Sequence, residues 1–297
     1  MMLESRIQYM PGHEVDRVKW DTCVENASNG LIFGYKICLD MLADHWNAIV
    51  IDDYKAVMPL PWRKSFLLPH HYRAPFLPQC GIFGEIDESL FKQLRKTIFS
   101  KLKFGDISFN FGNAEFAREF PSRPATNMIL PLNAVYTDLR KNYHRHLERS
   151  LKKATTGDLE FTSDTNVKSV VSLFRKHYGS RIRPVRSIDF ERFTSLCLHL
   201  QQVNKAFLRK VVDKRGKLLS ITLMLQDTKR LYNMLNVVTP EGRRKSANHL
   251  LFDRIVADFA NSGLILDFEG SEVPGLRRFY EGFGAINQPY FWCRKIL

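Results

Sequence analysis

The sequence predicts an α/β fold made of two related units, and three observations carry this reading. Strand-like runs joined by charged or polar turns alternate with amphipathic helical stretches along the chain. The same plan occurs twice: helices, a hairpin with a charged turn (Asp52-Asp53, then Asp213-Lys214-Arg215), a further strand, a helix and a strand. The chain has 297 residues, 44% of them apolar, enough for one large or two ordinary domains that bury a core without disulfides or structural metal.

In the first half, residues 13–28 and 35–45 read as short amphipathic helices. Two apolar runs within 46–63, separated by Asp52-Asp53-Tyr54, read as a β-hairpin, and Pro59 and Pro61 place its second strand at a sheet edge or bulge. Residues 87–103 have acids at the start and bases at the end, as a helix dipole favours, with Gly105 as the stop. ISFNF (107–111) and NMILPL (127–132) read as strands.

The second half opens on a strongly basic helix, 135–153, closed by Gly157. Two helices follow, at about 164–178 and 187–204, the first with Val167, Val170, Val171 and Phe174 at helical spacing. FLRKVVD and KLLSITLMLQ form a hairpin with Gly216 in the turn, and LYNMLNVV (231–238) is a third strand. TPEGRRKSAN is a polar loop, HLLFDRIVADFANSG a helix closed by Gly263, LILDFEG a strand, PGLRRFYEGFGA a short helix and PYFWCRKIL a closing strand.

Composition excludes several classes. With 12% aromatic residues, among them 22 Phe, the chain is not disordered. No run approaches the ~18 apolar residues of a membrane helix, and the start MMLESRIQYMPGHE has no apolar region of a secretory signal. Cys23, Cys38, Cys80, Cys197 and Cys293 lie far apart without a C-x-x-C, which suits reduced thiols in the cytoplasm. His70-His71, His144-x-His146 and Cys197-x-His199 lack four ligands at zinc spacing, so no metal site is expected. The net charge of +13 is uneven: residues 1–134 carry 15 basic and 15 acidic side chains, the remainder 29 and 16. A basic half suits an anionic partner, whether cofactor phosphates, nucleic acid or an acidic surface.

The loop TPEGRRKSANHLL lies between a strand and a helix, where free N–H groups and the positive dipole end favour phosphate. Gly242 lets a ligand approach the backbone, Arg243, Arg244 and Lys245 add charge, and Ser246 is placed to cap the helix before Ala247. An ordinary capped helix with solvated charges is the alternative. The loop is neither a Walker loop nor a G-x-G-x-x-G fingerprint.

This element order, the phosphate-type loop and the terminal Tyr280-Glu-Gly-Phe-Gly284-Ala285 resemble the GNAT N-acyltransferase superfamily. NYHRHLERSLKKA and GSEVPGLRRFYEGFGA resemble segments of its Fem-like branch, which has two tandem GNAT domains. The resemblance implies two GNAT-like acyl-CoA N-acyltransferase domains with mixed sheets flanked by helices, at 1–134 and 135–297. It also implies coenzyme A pyrophosphate at Gly242–Ala247 and an acyl-CoA, such as acetyl-CoA, as co-substrate. Tyr280 would then lie near the thioester sulfur as general acid; the alternative is a packed aromatic beside Phe279 and Phe283. Fem enzymes use aminoacyl-tRNA to extend peptidoglycan precursors and carry Lys where this chain has Tyr280, which looks more like an acyl-coenzyme A enzyme.

Strand alternation in LILDFEG puts Asp267 and Glu269 on one face, where mutual repulsion raises one pKa and either accepts a proton from the amine. Alternatively they hold the loop by hydrogen bonds or a salt bridge to Arg277 or Arg278. The leading expectation is acyl transfer from acyl-CoA to a small-molecule or peptide amine. The others are aminoacyl transfer from tRNA to a cell-wall peptide, and a non-catalytic scaffold binding RNA or an acidic partner through the basic half.

Overall fold

A computed structural model describes residues 7–66, 68–86, 88–101, 104–156, 158–179, 185–270 and 272–295. Its elements are β1 (Ile7–Pro11), α1 (Arg17–Asn26), α2 (Lys36–Leu42), β2 (His45–Ile51), β3 (Ala56–Ser65), β4 (Leu68–His71), β5 (Phe83–Gly84), α3 (Glu88–Lys101), β6 (Gly105–Phe109), α4 (Ala114–Arg118) and β7 (Ser122–Ala125). There follow β8 (Met128–Pro131), α5 (Tyr136–Lys141), α6 (Arg145–Thr155), β9 (Leu159–Asp164), α7 (Val167–Tyr178), α8 (Ser187–Gln202), β10 (Ala206–Asp213), β11 (Leu218–Gln226), β12 (Arg230–Val238), α9 (Pro240–Arg244), α10 (Ala247–Asp258), β13 (Ile265–Asp267), α11 (Pro274–Glu281), β14 (Ile286–Asn287) and β15 (Tyr290–Lys295). None of the described helices is long and apolar enough to cross a membrane.

The chain forms two compact units, one up to Ala125 plus everything from Pro289, the other Thr126–Gln288. The first sheet runs β1-β2-β3-β4-β6-β15-β7, with β5 beside β3; the second, read from its opposite edge, runs β9-β10-β11-β12-β13-β8-β14. Position by position the two orders coincide, and each has a parallel pair at its middle, β4–β6 and β12–β13. The duplicated plan is therefore a duplicated topology.

The boundary expected at 134/135 is corrected at both ends. β8 lies between β13 and β14 in the second sheet, and β15 lies between β6 and β7 in the first. The cause is burial: Met128, Leu130 and Leu132 pack in the second core with Leu266 and Phe283, whereas Cys293 packs in the first with Ile107 and Phe109. The two expected halves thus exchange their last strands, β8 and β15.

Local chemistry explains the hairpins. Asp52, Asp53 and Tyr54 all have positive φ (44°, 52° and 71°), a turn that small polar residues tolerate. In the second hairpin Asp213 accepts the N–H groups of Arg215 and Lys217 through Oδ1 (2.9 and 3.0 Å). Pro59 and Pro61 lie where β3 pairs with β2 on one side but has no ladder partner on the other among the described residues, so no ladder bond is lost.

Three element expectations differ. The basic helix is two helices, α5 and α6, because the His144 N–H donates to the Gly282 carbonyl (2.9 Å) and the chain turns there. Its expected stop, Gly157, lies outside the described residues, as do Asp87 and Ser271 of the other quoted segments. Residues 159–164 form an edge strand, β9, with only Leu159 and Phe161 as apolar signals. The polar loop contains a short helix, α9, capped by Thr239, whose Oγ1 accepts the Gly242 N–H (3.0 Å).

Candidate active site

The second unit opens a notch at its parallel pair. β12 pairs with β13 only through Arg230, Leu231 and Tyr232; beyond that, its β13-facing edge has no strand partner among the described residues. Met224 stands opposite Asn233 and Leu223 opposite Leu235, so Met234 is an extra residue, and this bulge re-aims the strand. β13 itself ends at Asp267, and Glu269 (φ 51°) and Gly270 (φ 66°) turn away in left-handed conformation. Glu269 thus lies past the strand on which alternation was expected.

Asp267 is fully buried and saturated. It accepts from Asn127 Nδ2 (3.0 and 3.2 Å), from the Glu269 N–H (3.0 Å) and from Arg230 Nη1 (2.9 Å), itself 3% exposed. Burial pushes its carboxyl up while Arg230 and these hydrogen bonds pull it down. The ion pair expected with Arg277 or Arg278 is made by Arg230 instead; Arg277 pairs with Glu281 (2.8 Å). Glu269 is the contrasting case. Its Oε1 is buried with no hydrogen-bond partner, and burial plus the Asp267 charge hold its carboxyl well above the usual range.

Tyr280 is 4% exposed and stacks on Phe268 with ring centroids 4.2 Å apart. It is therefore the packed aromatic of the alternative reading, but its hydroxyl is not idle. Asn233 Oδ1 accepts from Thr222 Oγ1 (2.6 Å). Burial raises the phenol's pKa, and nearby Asn233 opposes the rise.

The loop and the first turns of α10 flank the same region: His249 contacts Phe279 (4.9 Å) and Phe252 contacts Tyr280 (6.3 Å). Ser246 occupies the cap position at φ 58° and offers its carbonyl to His249 and Leu250, but its side chain makes no cap bond, a correction to the capping expected of it. No hydrogen bond to the N–H of Ala247 or Asn248 occurs among the described residues, so α10 keeps two donors at its positive end. Gly242 serves packing: a Cβ there would lie 2.1 Å from the Leu219 carbonyl oxygen. Its N–H is already held by Thr239. Arg243 is exposed and reaches the Tyr178 hydroxyl (3.3 Å), Arg244 is exposed, and Lys245 is tied to Glu241 (2.9 Å). Lys217 and Lys245 together hold the Glu241 carboxyl down at about 2.

Asn127, Arg230 and Asn233 were not among the sequence candidates. Arg230 and Asn233 had one legible signal, polar side chains in an otherwise apolar strand; Asn127 had none, since its partner Asp267 is 140 residues away. The five cysteines are free thiols. Among the described residues no three His, Cys, Asp or Glu side chains are grouped to hold a metal ion.

The acetyltransferase (GNAT) domain model matches residues 140–274. No curated protein matches the chain. Among solved structures, FemX is similar over 97% of this chain and 97% of its own, at 14% identity and a TM-score of 0.70. The C-terminal domain of a putative lysylphosphatidylglycerol synthetase from Agrobacterium fabrum is similar over 96% and 93%, at 12% and 0.62. A tandem GNAT protein from the clavulanic acid biosynthesis pathway, without AcCoA, is similar over 97% and 98%, at 10% and 0.54. The GNAT domain model thus covers most of the second unit, and the chain has the tandem GNAT fold in its Fem-like arrangement.

Proposed function

We propose that the protein transfers an acyl group from an acyl-coenzyme A to an amine. The observation that carries this reading is the start of α10. Among the described residues the Ala247 and Asn248 N–H groups have no hydrogen-bond partner, and exposed Arg243 and Arg244 lie in the preceding turn. Backbone donors at the positive end of a 12-residue helix suit a pyrophosphate. The notch beside β12 then offers backbone groups from Asn233 onwards to an extended arm of the cofactor. Coenzyme A brings the acyl carbonyl, activated as a thioester. On this reading Glu269, in its carboxylate form, takes a proton from the acceptor ammonium, and the freed amine attacks the thioester carbonyl; the C–S bond then breaks as Tyr280 gives its hydroxyl proton to the thiolate, and the second amine proton replaces it on Tyr280. Asp267 stays charged against Arg230 and orders the turn through the Glu269 N–H.

Calorimetry and thermal shift with acetyl-CoA test the reading. At about 100 times its dissociation constant the ligand adds ~2.7 kcal/mol of stability, and Arg243→Ala with Arg244→Ala lowers that gain. Failure of every coenzyme A thioester to bind at millimolar concentration overturns it.

A second reading has its own support. FemX shares the fold over nearly the whole chain, and the outer face of α6 exposes Arg145, Arg149, Lys152 and Lys153. An aminoacyl-tRNA donor fits that basic face, with a cell-wall peptide as acceptor. Binding of charged tRNA falling steeply with salt, together with transfer of its aminoacyl group, distinguishes this donor from acyl-CoA. RNA binding without any transfer supports the scaffold.

A further inference from the structure

One end of the first sheet carries an apolar projection that the proposed chemistry does not use. Phe66 is 100% exposed and Leu68 71% exposed, at the tip where β3 returns as β4 with Ser65 opposite Leu68. β4 runs parallel to β6 with His71 opposite Gly105, so Leu68 and Phe66 extend past the start of β6. Phe104, 45% exposed, stands at that start; its carbonyl accepts the His71 N–H (2.9 Å), and its ring meets the edge of His70.

The hairpin itself and the end of α3 are cationic. Lys64 and Lys101 are exposed, and half-buried Arg63 lies 4.6 Å over the Tyr72 ring. No Asp or Glu occurs between residues 56 and 84 or between 89 and 105. Asp106, at the start of β6, is neutralised by Arg294 (2.7 Å).

We propose that this end of the first unit docks on the surface of an anionic lipid bilayer. Two exposed apolar side chains at a hairpin end suit insertion into a deformable apolar medium. Phe and Leu at a tip with lysines set behind them match the depth profile of a headgroup boundary, apolar inside and phosphate outside. Each lysine near such a surface adds about 1 kcal/mol of attraction by the field of anionic lipid. The proposal is independent of the acyl-transfer reading.

The test is co-sedimentation of the whole protein with phosphatidylcholine vesicles, and with the same vesicles in which a quarter of the lipid is phosphatidylglycerol. Binding is expected to the second kind, with little to the first. Phe66→Ser combined with Leu68→Ser, and separately Lys64→Glu combined with Lys101→Glu, are each expected to weaken it by about tenfold or more. All four side chains are exposed, so the melting temperature serves as the check that each variant remains folded. Equal binding to both vesicle types, no binding to either, or variants that bind like the parent overturn the proposal. So does sedimentation showing a dimer that the Phe66→Ser, Leu68→Ser variant dissolves, since the tip would then serve a second copy of the chain.

Discussion

Glu269 and Asp267 are two residues apart, yet their surroundings give them opposite tasks. Asp267 has Arg230 and two further hydrogen-bond donors, the Asn127 amide and the Glu269 N–H; Glu269 has a buried oxygen with none. The raised Glu269 pKa means that the folded chain keeps a proton the unfolded chain releases near pH 4.3. Stability linked to Glu269 is therefore full at acid pH and is lost as pH rises from that value towards the folded one. Glu269→Gln mimics the protonated form. It is expected to melt above wild type at pH 8, by the equivalent of about 1–3 kcal/mol, and to match it near pH 4. If Glu269 is the base of the proposed reaction, the same variant loses turnover. Tyr280→Phe removes one oxygen from a stacked ring, and turnover is expected to fall ~10- to 100-fold with coenzyme A affinity unchanged. If Asn233 acts through that oxygen, its substitution and that of Tyr280 are not additive. Asn233→Leu should slow the parent but not Tyr280→Phe, and additive losses in this cycle would mean that Asn233 acts elsewhere. Thr222 does not lose its acceptor in that variant, since its hydroxyl also reaches the Leu235 carbonyl (3.1 Å).

At the scale of elements, α9 and α10 are placed by contacts that a local pattern does not display. Gly242 read as a point where a ligand approaches the backbone, and the structure shows it approaching β11 instead. Gly242→Ala should force α9 off Leu219 and cost roughly 1–3 kcal/mol of stability, read as a lowered denaturant midpoint. His249, in the first turn of α10, is pushed down to about 4 by burial and by the charge of His146. The unfolded histidine takes a proton near 6.5 while the folded one refuses it, so stability is lost as pH falls from 6.5 towards 4. His249→Leu should flatten that slope, worth at most about 3 kcal/mol across the window. The elements legible in the sequence were those specified by their own residues: the Asp52-Asp53 and Asp213–Gly216 turns, the strands they join, and the 3–4 spacing of α7. The missed ones depend on distant partners. β9 becomes a strand because β10 offers it an edge, and the break between α5 and α6 is set by Gly282. The site divides the same way. Tyr280 and Glu269 are candidates that local motifs suggest, whereas Asn127, Arg230 and Asn233 join them only when β8, β12, β13 and α11 are assembled.

For the whole molecule the governing fact is the exchange of last strands. Each sheet contains the last strand of the other half of the sequence, β15 in the first and β8 in the second, so a cut between the two apparent halves is not a cut between folded bodies. A fragment 135–297 lacks β8. It loses the ladder of Ile265, Leu266 and Asp267 with β8, the pairing of β14, and both Asn127 bonds to Asp267. An unsatisfied buried group costs about 1–3 kcal/mol, more when charged, against a domain stability of only ~5–15 kcal/mol. The same fragment also carries β15 with neither β6 nor β7 to pair with, an unpaired apolar strand that invites aggregation. A fragment 126–288 keeps every strand of the second sheet and ends before β15. It is expected to unfold in one cooperative thermal transition with dispersed amide resonances, while 135–297 shows neither. Equal stability of the two fragments would mean that β8 is an accessory edge and that Asp267 is held well enough by Arg230 alone.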